Sequence, residues 1–238
     1  MVQESFVSDK RQNMVIRFKF KKFGPVVYIG HLDIMRFFQK AIRRSGIDAA
    51  YTEGFSPHLK LSFAQPLSVG VETDGDYFDL EMNSLPDMEN IVKIMNDQCV
   101  DGIEVLNATL LDDDTVNGMS SVKAADYIYY YEDLSDDLDL INRFFSQDSY
   151  IFEYERKDKV KTKDLMEDIY EYKILGDNEM LVKVNASSAG NLKADVVTEA
   201  LEKYGVSAKC LRFKRHDLYT TNENNEFVSL CDQGKVYD

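Results

Sequence analysis

The chain has 238 residues, of which 44% are hydrophobic and 29% are charged, as is typical of a globular protein with one large domain or two small ones. No apolar run approaches the roughly 18 residues that span a bilayer, and the first 13 residues lack the apolar core of a secretory signal. Three distant cysteines argue against a disulfide framework and against a zinc or iron–sulfur cluster. We therefore expect a cytoplasmic protein without membrane contact.

The net charge of −14 is unevenly distributed along the chain. Between Lys10 and Lys60 there are eleven lysines and arginines and three acidic residues, so this segment carries +8 and the rest of the chain carries −22. Such a split indicates a basic surface on an acidic protein. The alternative is that these basic residues are simply solvated or pair with acidic neighbours after folding.

The first half shows strand and helix patterns in the order β-α-β-β-α-β. Residues 15–21 alternate with period two, which predicts a half-buried strand. Apolar residues at helical spacing predict a helix from His31 to Arg44, and Gly46 follows it as a typical C-terminal glycine. The other predicted elements are strands at 61–71, 77–82 and 103–111 and a helix at 86–98.

The second half repeats this order after a polar break at 112–121. Ser135 is the predicted N-cap of its first helix, and Asn191 or Asp195 is the predicted N-cap of the second, which ends at Tyr204. Strands are predicted at 125–132, 150–155, 169–174, 180–186 and 206–219, with a hairpin turn at 176–178. The charged segment 157–165 has no predicted element.

These patterns predict an α+β fold made of two ferredoxin-like (β-α-β-β-α-β) units with antiparallel sheets and with helices on one face. The predicted segments are a flexible N-terminus (1–13), unit 1 (14–111), a linker (112–121), unit 2 (122–219) and a loose polar tail (220–238). In unit 2, three tyrosines at 127, 129 and 131 share one strand face, as a base-stacking platform requires. Acidic neighbours would repel phosphate there, so a core or interface role is favoured.

The first predicted helix supplies the main candidate site, because a helix N-terminus favours an anion and several basic residues follow it on one face. A loop with the sequence EGFSPHLKLSF (residues 53–63) adds a histidine and a lysine. We expect Phe55 and Phe63 to anchor this loop in the core, so that it faces the helix. The candidate residues for phosphate or substrate binding are His31, Asp33, Arg36, Lys40, Arg43, Arg44, His58 and Lys60.

Two of the three histidines, His31 and His58, lie in the basic segment and are candidates for general acid–base catalysis or for phosphate binding. A capping role for His31 is the alternative. His31, His58 and Asp33 have no metal-ligand spacing, so no metal is expected. The chain also lacks a P-loop, a GxGxxG motif, a GxSxG motif and a cysteine cluster, so no cofactor is expected.

Within residues 24–81, the sequence HLD at 31–33, the basic helix that follows it and the sequence GFSPH at 54–58 resemble the radical-SAM-linked protein family, a domain of unknown function found beside or fused behind a radical S-adenosylmethionine protein. Two positions depart from the family pattern: Leu59 and Ala194 stand where it usually has proline, which weakens the comparison for the loop and for the C-terminal half. The matching residues are Gly30 to Asp33, Arg36, Arg43, Arg44, Gly46, Tyr51, Gly54 to His58, Lys60 and Ser62 to Ala64.

The resemblance implies a radical SAM protein as partner, and the gene neighbours of the family, a ribonuclease and ribosomal proteins, imply RNA. We therefore expect a noncatalytic companion that binds an anionic substrate, tRNA or rRNA, through the basic helix and loop. One alternative is an RNA-processing nuclease that uses His31 or His58. Another is a protein–protein adaptor without RNA contact.

Overall fold

The computed structural model describes residues 14–156 and 159–238. The first half contains four strands, three helices of one to four turns and two 3-10 turns. In chain order these elements are β1 (Met14–Lys22), a 3-10 turn (Gly24–Tyr28), α1 (His31–Ser45), β2 (Leu61–Phe63), β3 (Glu72–Met82), a 3-10 turn (Met88–Asn90), α2 (Ile91–Asn96), β4 (Ile103–Leu111) and α3 (Gly118–Ser121).

The second half begins with a strand directly after α3 and ends with three strands that follow the last helix. Its elements are β5 (Ala124–Tyr131), α4 (Leu138–Phe145), β6 (Ile151–Arg156), β7 (Lys159–Asp164), β8 (Ile169–Gly176), β9 (Glu179–Asn185), α5 (Ala194–Tyr204), β10 (Cys210–Thr221), β11 (Phe227–Ser229), a 3-10 turn (Leu230–Asp232) and β12 (Gly234–Tyr237).

Ten of these strands form one mostly antiparallel sheet in a mixed α/β fold. The strand order is β12-β4-β1-β3-β10-β5-β9-β8, β2 pairs with β3, β11 pairs with β10, and β6 and β7 form a separate hairpin. The two halves meet where β3 and β10 run parallel, with Lys214 opposite Glu72 and Arg215 opposite Thr73. The predicted pair of sheets is therefore corrected to one sheet, because this parallel pairing makes the strands of both halves continuous.

The helices of each half cover a hydrophobic core on one face of the sheet. In the first half the rings of Phe18, Phe20 and Phe78 on the strands pack against Phe38 of α1, with ring centroids 4.6–6.0 Å apart where they touch. Burial of each such ring stabilises the fold by about 1.5–3 kcal/mol. The second half has its own core, to which Tyr129 and Tyr131 contribute buried side chains. This agrees with a core role for these tyrosines.

The opposite face of the sheet is covered by the C-terminal segment and by α3, which buries an ion pair. Arg17 is fully buried, and its guanidinium donates to both carboxylate oxygens of Asp79 at 2.7 and 2.9 Å. It also donates to the carbonyl of Leu230 and to Gln233, while the Gly118 N–H donates to Asp79. β1 is thus buried on both faces at Arg17, whereas Lys19 and Lys21 on the same face as Arg17 stay partly exposed, in keeping with the half-buried strand that the alternation predicts.

Several predicted segments are corrected. The strand expected at 61–71 ends at Phe63, since Pro66 cannot donate to a ladder and Gly70 takes a left-handed φ of 86°. The linker at 112–121 packs against the sheet, with Gly118 and Ser121 buried in α3. The tail at 220–238 is not loose, because β11 pairs with β10 and β12 pairs with β4.

Three local expectations also change. The unassigned charged segment contains β7, which pairs with β6. Asp137 rather than Ser135 precedes α4 as its N-cap residue, and Lys193 rather than Asn191 or Asp195 precedes α5. The flexible N-terminus predicted at 1–13 lies outside the described residues. The division into two separate units at 14–111 and 122–219 stays a prediction.

Candidate functional site

The outward face of α1 presents a line of three exposed basic residues, Arg36, Lys40 and Arg43, called the basic stripe here. The helix begins at His31 and ends before Gly46, whose φ of 74° is left-handed. The inward residues of α1 are buried in the core, and this orients the stripe toward solvent. No ion pair of Lys40 or Arg43 is found within the described residues. The stripe is therefore accessible to an anionic ligand.

The acidic and basic neighbours of the stripe are held at the surface. Arg36 pairs with Asp33 at 2.9 Å, and both side chains are more than half exposed, so solvent and salt screen the pair. Arg44 donates to the carbonyl of Gln98 at 2.9 Å, which ties it to the end of α2. Arg36 thus has a weakly bound acidic partner that an anion can displace. Arg44 has a neutral partner, next to which an anion can also bind.

Lys60 does not join this helix surface. Its ammonium pairs with the Glu81 carboxylate at 2.6 Å. Glu81 alternates along β3 with Phe78 and Leu80, which pack in the core under α1, so Glu81 lies on the other face of the sheet. The single pocket expected from the helix and the loop is therefore not formed, since the cross-strand carboxylate holds Lys60 away from α1.

Residues 51–58 form an exposed loop, every residue of which is accessible to solvent. Its base is closed by two hydrogen bonds, from the Thr52 N–H to the His58 carbonyl at 2.8 Å and from the His58 N–H to the Thr52 hydroxyl at 3.0 Å. Gly54 takes a φ of 111°, which favours glycine. Phe55 is 112% exposed, so it does not anchor the loop as expected; only Phe63 is buried in the core.

His31 lies apart from the exposed loop, in a narrow recess at the start of α1. Its ring contacts the edge of Phe63, with centroids 5.3 Å apart. Burial lowers the pKa of His31, the charge of Asp76 opposes this shift, and the nearby charges of Arg215 and Lys22 add to it. The recess is lined by Phe20, Lys22, His31, Ile34, Phe63, Gln65, Leu67 and Asp76.

Three charged groups in or next to this recess are almost completely buried: Lys22 and Asp76 line it, and Arg215 contacts Asp76. Arg215 on β10 donates through Nε to Asp76 on β3 at 2.7 Å, and Nη2 makes a second, shorter contact to the same carboxylate. It also donates to the side-chain oxygen and the carbonyl of Gln65. Lys22 is 3% exposed, and its ammonium has no hydrogen bond or ion pair among the described residues. Burial lowers the pKa of Lys22, and the Asp76 charge opposes this.

A cavity of about 210 Å³ adjoins the recess, because Gln65 and Leu67 line both. It lies at the junction of the two halves and reaches the N-terminus of α5, which Lys193 precedes. The recess and this cavity together are called the junction cleft. The cavity is lined by Gln65, Pro66, Leu67, Ser68, Val69, Val71, Tyr127, Asn191, Lys193, Ala194, Asp195 and Phe213.

Neither a metal centre nor a reactive thiol emerges from the described part of the chain. Within residues 14–156 and 159–238, no three His, Cys, Asp or Glu side chains are grouped so that they could hold a metal ion. Burial raises the pKa of Cys99 and of Cys210 to about 11, so these thiols stay protonated at neutral pH. No helix among these residues is both long and apolar enough to cross a membrane.

A sequence model of a bacterial family, described as "uncharacterized protein conserved in bacteria (DUF2344)", matches residues 15–194. The chain belongs to this family. The matched range begins in β1, contains α1 and the exposed loop, and ends at the first residue of α5. Lys22, His31, Gln65 and Asp76 of the junction cleft therefore lie inside the family range, whereas Arg215 lies beyond it.

No curated protein matches the chain. Among solved structures, a Cbf5-Nop10-Gar1 complex aligns with 13% identity and a TM-score of 0.46, covering 87% of this chain and 49% of that one, so the chain spans about half the length of that structure. An unknown protein from Galdieria sulphuraria aligns with 11% identity and a TM-score of 0.25, covering 85% and 98%. Both similarities are too weak to indicate a function for this member of the family.

The sequence did not predict the junction cleft, although one residue of the cleft, Lys22, has an unusual position in the sequence pattern. Lys22 has the same parity in β1 as Ile16, Phe18 and Phe20, so its side chain is predicted to lie on the core face. A lysine at such a position is an exception to the apolar pattern. The electrostatic effect of Arg215 on Lys22 has no sequence signal, since it depends on how the halves pair.

Proposed function

We propose that this chain is a noncatalytic binding subunit that holds RNA for a radical SAM partner. The observation that supports RNA binding best is the exposure of Arg36, Lys40 and Arg43 along one side of α1. The stripe spans about 10 Å at 1.5 Å per residue. Positive groups accessible at this spacing suit successive contacts to a phosphate backbone, which require exposure more than burial.

The exposed loop supplies the second part of this proposed surface. Phe55 stands fully exposed on a loop whose base is closed by the Thr52–His58 hydrogen bonds. An exposed aromatic ring on an ordered loop suits stacking with an unpaired base, at about 1–3 kcal/mol per base. His58 on the same loop adds a side chain that can hydrogen-bond to a phosphate or to a base. The remaining acidic surface would confine RNA to these basic and aromatic elements.

The radical SAM partner rests on the family resemblance of residues 24–81 and on the absence of a cysteine cluster from the sequence. The iron–sulfur chemistry then belongs to the partner, and this chain presents the substrate. We further propose that the halves are two ferredoxin-like units. The strand orders β4-β1-β3-β2 and β10-β5-β9-β8 support this, because, with the separate β6–β7 hairpin left out, each places the first and third strands of a half at its centre.

The test of RNA binding compares two triple variants. Arg36→Glu, Lys40→Glu and Arg43→Glu together should strongly weaken retention of tRNA and rRNA fragments at low salt. The control is Lys93→Glu, Lys123→Glu and Lys209→Glu, which changes the net charge equally at exposed positions elsewhere. Removing three contacts to a single strand should reduce the salt slope of log K by about 2. Equal retention by both variants, or no retention by the wild type, would contradict the proposal.

The adaptor alternative is supported by one observation, the exposed ring of Phe55, which suits a protein surface as well as a base. Purification of the chain with its radical SAM neighbour, before and after ribonuclease treatment, separates the two functions. Loss of the partner on ribonuclease treatment indicates association through RNA, and retention indicates direct contact. The nuclease alternative has no comparable support, because within the described residues no hydrogen bond or ring contact joins His31 and His58.

A further inference from the structure

Lys22 is the most unusual polar residue of the junction cleft. It is 3% exposed, yet its ammonium finds no hydrogen-bond or ion-pair partner within the described residues. The ammonium nitrogen is not among the fully enclosed polar atoms without a partner, so it is accessible through the recess that Lys22 lines. The nearest carboxylate, Asp76, already accepts two contacts from Arg215. The Lys22 ammonium therefore retains donors for a group that is not part of the protein.

The start of α1 adds further donors to the recess. His31 and Ile34 line it, so the first turn of the helix borders the same space as Lys22. Gly30 precedes the helix without a capping side chain, and the N–H groups of His31 and Leu32 have no acceptor among the described residues. Unpaired N–H groups and the positive end of the helix dipole favour a negative charge at this point.

The charges around the recess sum to an excess positive charge. Lys22 is a cation of the lining, and Arg215 is a second cation, which pairs with Asp76, a carboxylate of the lining. His31 faces these three groups as a further hydrogen-bonding side chain. An additional unpaired cation next to a buried ion pair destabilises the fold unless an anion binds there. An external anion would neutralise the excess charge.

The dimensions of the cleft restrict the form of this anion. The recess has a volume of about 10 Å³, which admits about one atom the size of a water molecule. The adjoining cavity of about 210 Å³ has room for the rest of a small molecule. Lys193, which precedes α5, lines this cavity. A polynucleotide backbone does not suit so narrow a recess, whereas a terminal oxygen does.

We propose that the junction cleft binds a small-molecule oxyanion, with one phosphate or carboxylate oxygen on the Lys22 ammonium and the remainder of the molecule in the adjoining cavity. This site is separate from the basic stripe and does not depend on RNA binding. It places a ligand on groups from both halves, because Lys22 and Asp76 of the first half line the recess and Tyr127 and Lys193 of the second half line the cavity. The ligand would thus strengthen the β3–β10 junction.

Thermal unfolding in the presence of inorganic phosphate, acetate or chloride at matched ionic strength tests this site. Wild-type protein should be stabilised more by phosphate or by acetate than by chloride, through preferential binding to the folded state. The phosphate and acetate arms identify which oxyanion is preferred. Lys22→Met should weaken that binding about ten- to a hundredfold, as expected for loss of a hydrogen bond to a charged group.

Lys21→Met is the matched control, since Lys21 is the neighbouring residue of β1, lies on the other face and pairs with Glu104. It should respond to oxyanions like the wild type. Stabilisation of the wild type by chloride alone, or an unchanged response of Lys22→Met, overturns the proposal. Should Lys22→Met fail to fold, the ring signals of His31 in wild-type NMR spectra decide: phosphate or acetate must shift them, and no shift overturns the proposal. Unchanged RNA retention by Lys22→Met distinguishes this site from the stripe.

Discussion

Replacing Asp79 by asparagine removes the charge that neutralises Arg17 under the sheet. The Arg17 guanidinium is fully buried and makes two of its hydrogen bonds to the Asp79 carboxylate. The other acceptors, such as the Leu230 carbonyl, are uncharged and cannot replace the lost carboxylate. Removal of one partner from a buried ion pair costs about 3–5 kcal/mol. This is a large share of the roughly 5–15 kcal/mol by which a typical domain is stable.

Urea unfolding followed by circular dichroism measures this effect, with the slope m compared between variants. We expect Asp79→Asn to lower the free energy of unfolding by about 3–5 kcal/mol, or the Tm by roughly 6–20 °C for a chain of this size. Asp33→Asn is the control, because the exposed Asp33–Arg36 pair contributes less than about 1 kcal/mol. A loss below about 1 kcal/mol for Asp79→Asn at unchanged m would show that this pair does not hold the C-terminal segment as described.

Three further substitutions test the junction, the recess and the loop. Gly75→Ala should cost about 1–3 kcal/mol in urea unfolding, since an added Cβ would lie 2.6 Å from the His216 carbonyl oxygen; an unchanged midpoint would contradict this close approach. Burial lowers the pKa of His31 in the folded protein, whereas the pKa of this histidine in the unfolded chain is about 6.5. Below pH 6.5 the unfolded chain therefore binds more protons, and the stability of the wild type should fall as the pH drops through the lowered pKa. His31→Gln should lose this component and keep the stability above pH 6.5 unchanged, and parallel pH profiles would refute the assignment. Phe63→Ala should cost about 3–5 kcal/mol and Phe55→Ala less than about 0.5 kcal/mol; similar losses would contradict the exposed position of Phe55.

Elements specified by local pattern were predictable from the sequence. The helix expected at 31–44 is α1 (His31–Ser45), with Gly46 in the left-handed conformation at its end. The strand expected at 103–111 has the bounds of β4. In both cases the period of the apolar residues and the terminal glycines act over a few neighbouring residues, and tertiary contacts reinforce the same choice.

The pairing of the halves was not predictable in this way. Lys214 meets Glu72 across a parallel contact between β10 and β3, and no periodicity reports which distant strands become neighbours. Arg17 shows the consequence. Its position in an alternating strand predicts exposure, but the C-terminal segment and α3 cover that face, and Asp79 neutralises the charge. A periodic pattern gives the face of a residue and cannot give what covers that face.

The candidate site was predictable only in part, for the same reason. Charge composition locates the basic segment, and helical spacing puts Arg36, Lys40 and Arg43 on one outward line. Whether a basic residue stays free depends on acidic groups far along the chain. Lys60 pairs with Glu81, and Lys19 pairs with Asp217 at 3.1 Å, so neither lysine is available to the proposed RNA surface.

The C-terminal residues have a consequence for synthesis on the ribosome. β12 pairs with β4, and Arg17 donates a hydrogen bond to the carbonyl of Leu230, which lies 213 positions later in the chain. Because translation proceeds from the N-terminus, the nascent first half emerges with the outer edge of β4 open and with the Arg17 face uncovered. An open strand edge is prone to intermolecular pairing during this interval. A nascent chain whose synthesis is arrested before residue 230 should therefore remain sensitive to protease and dependent on chaperones until synthesis resumes and the last strands leave the ribosome.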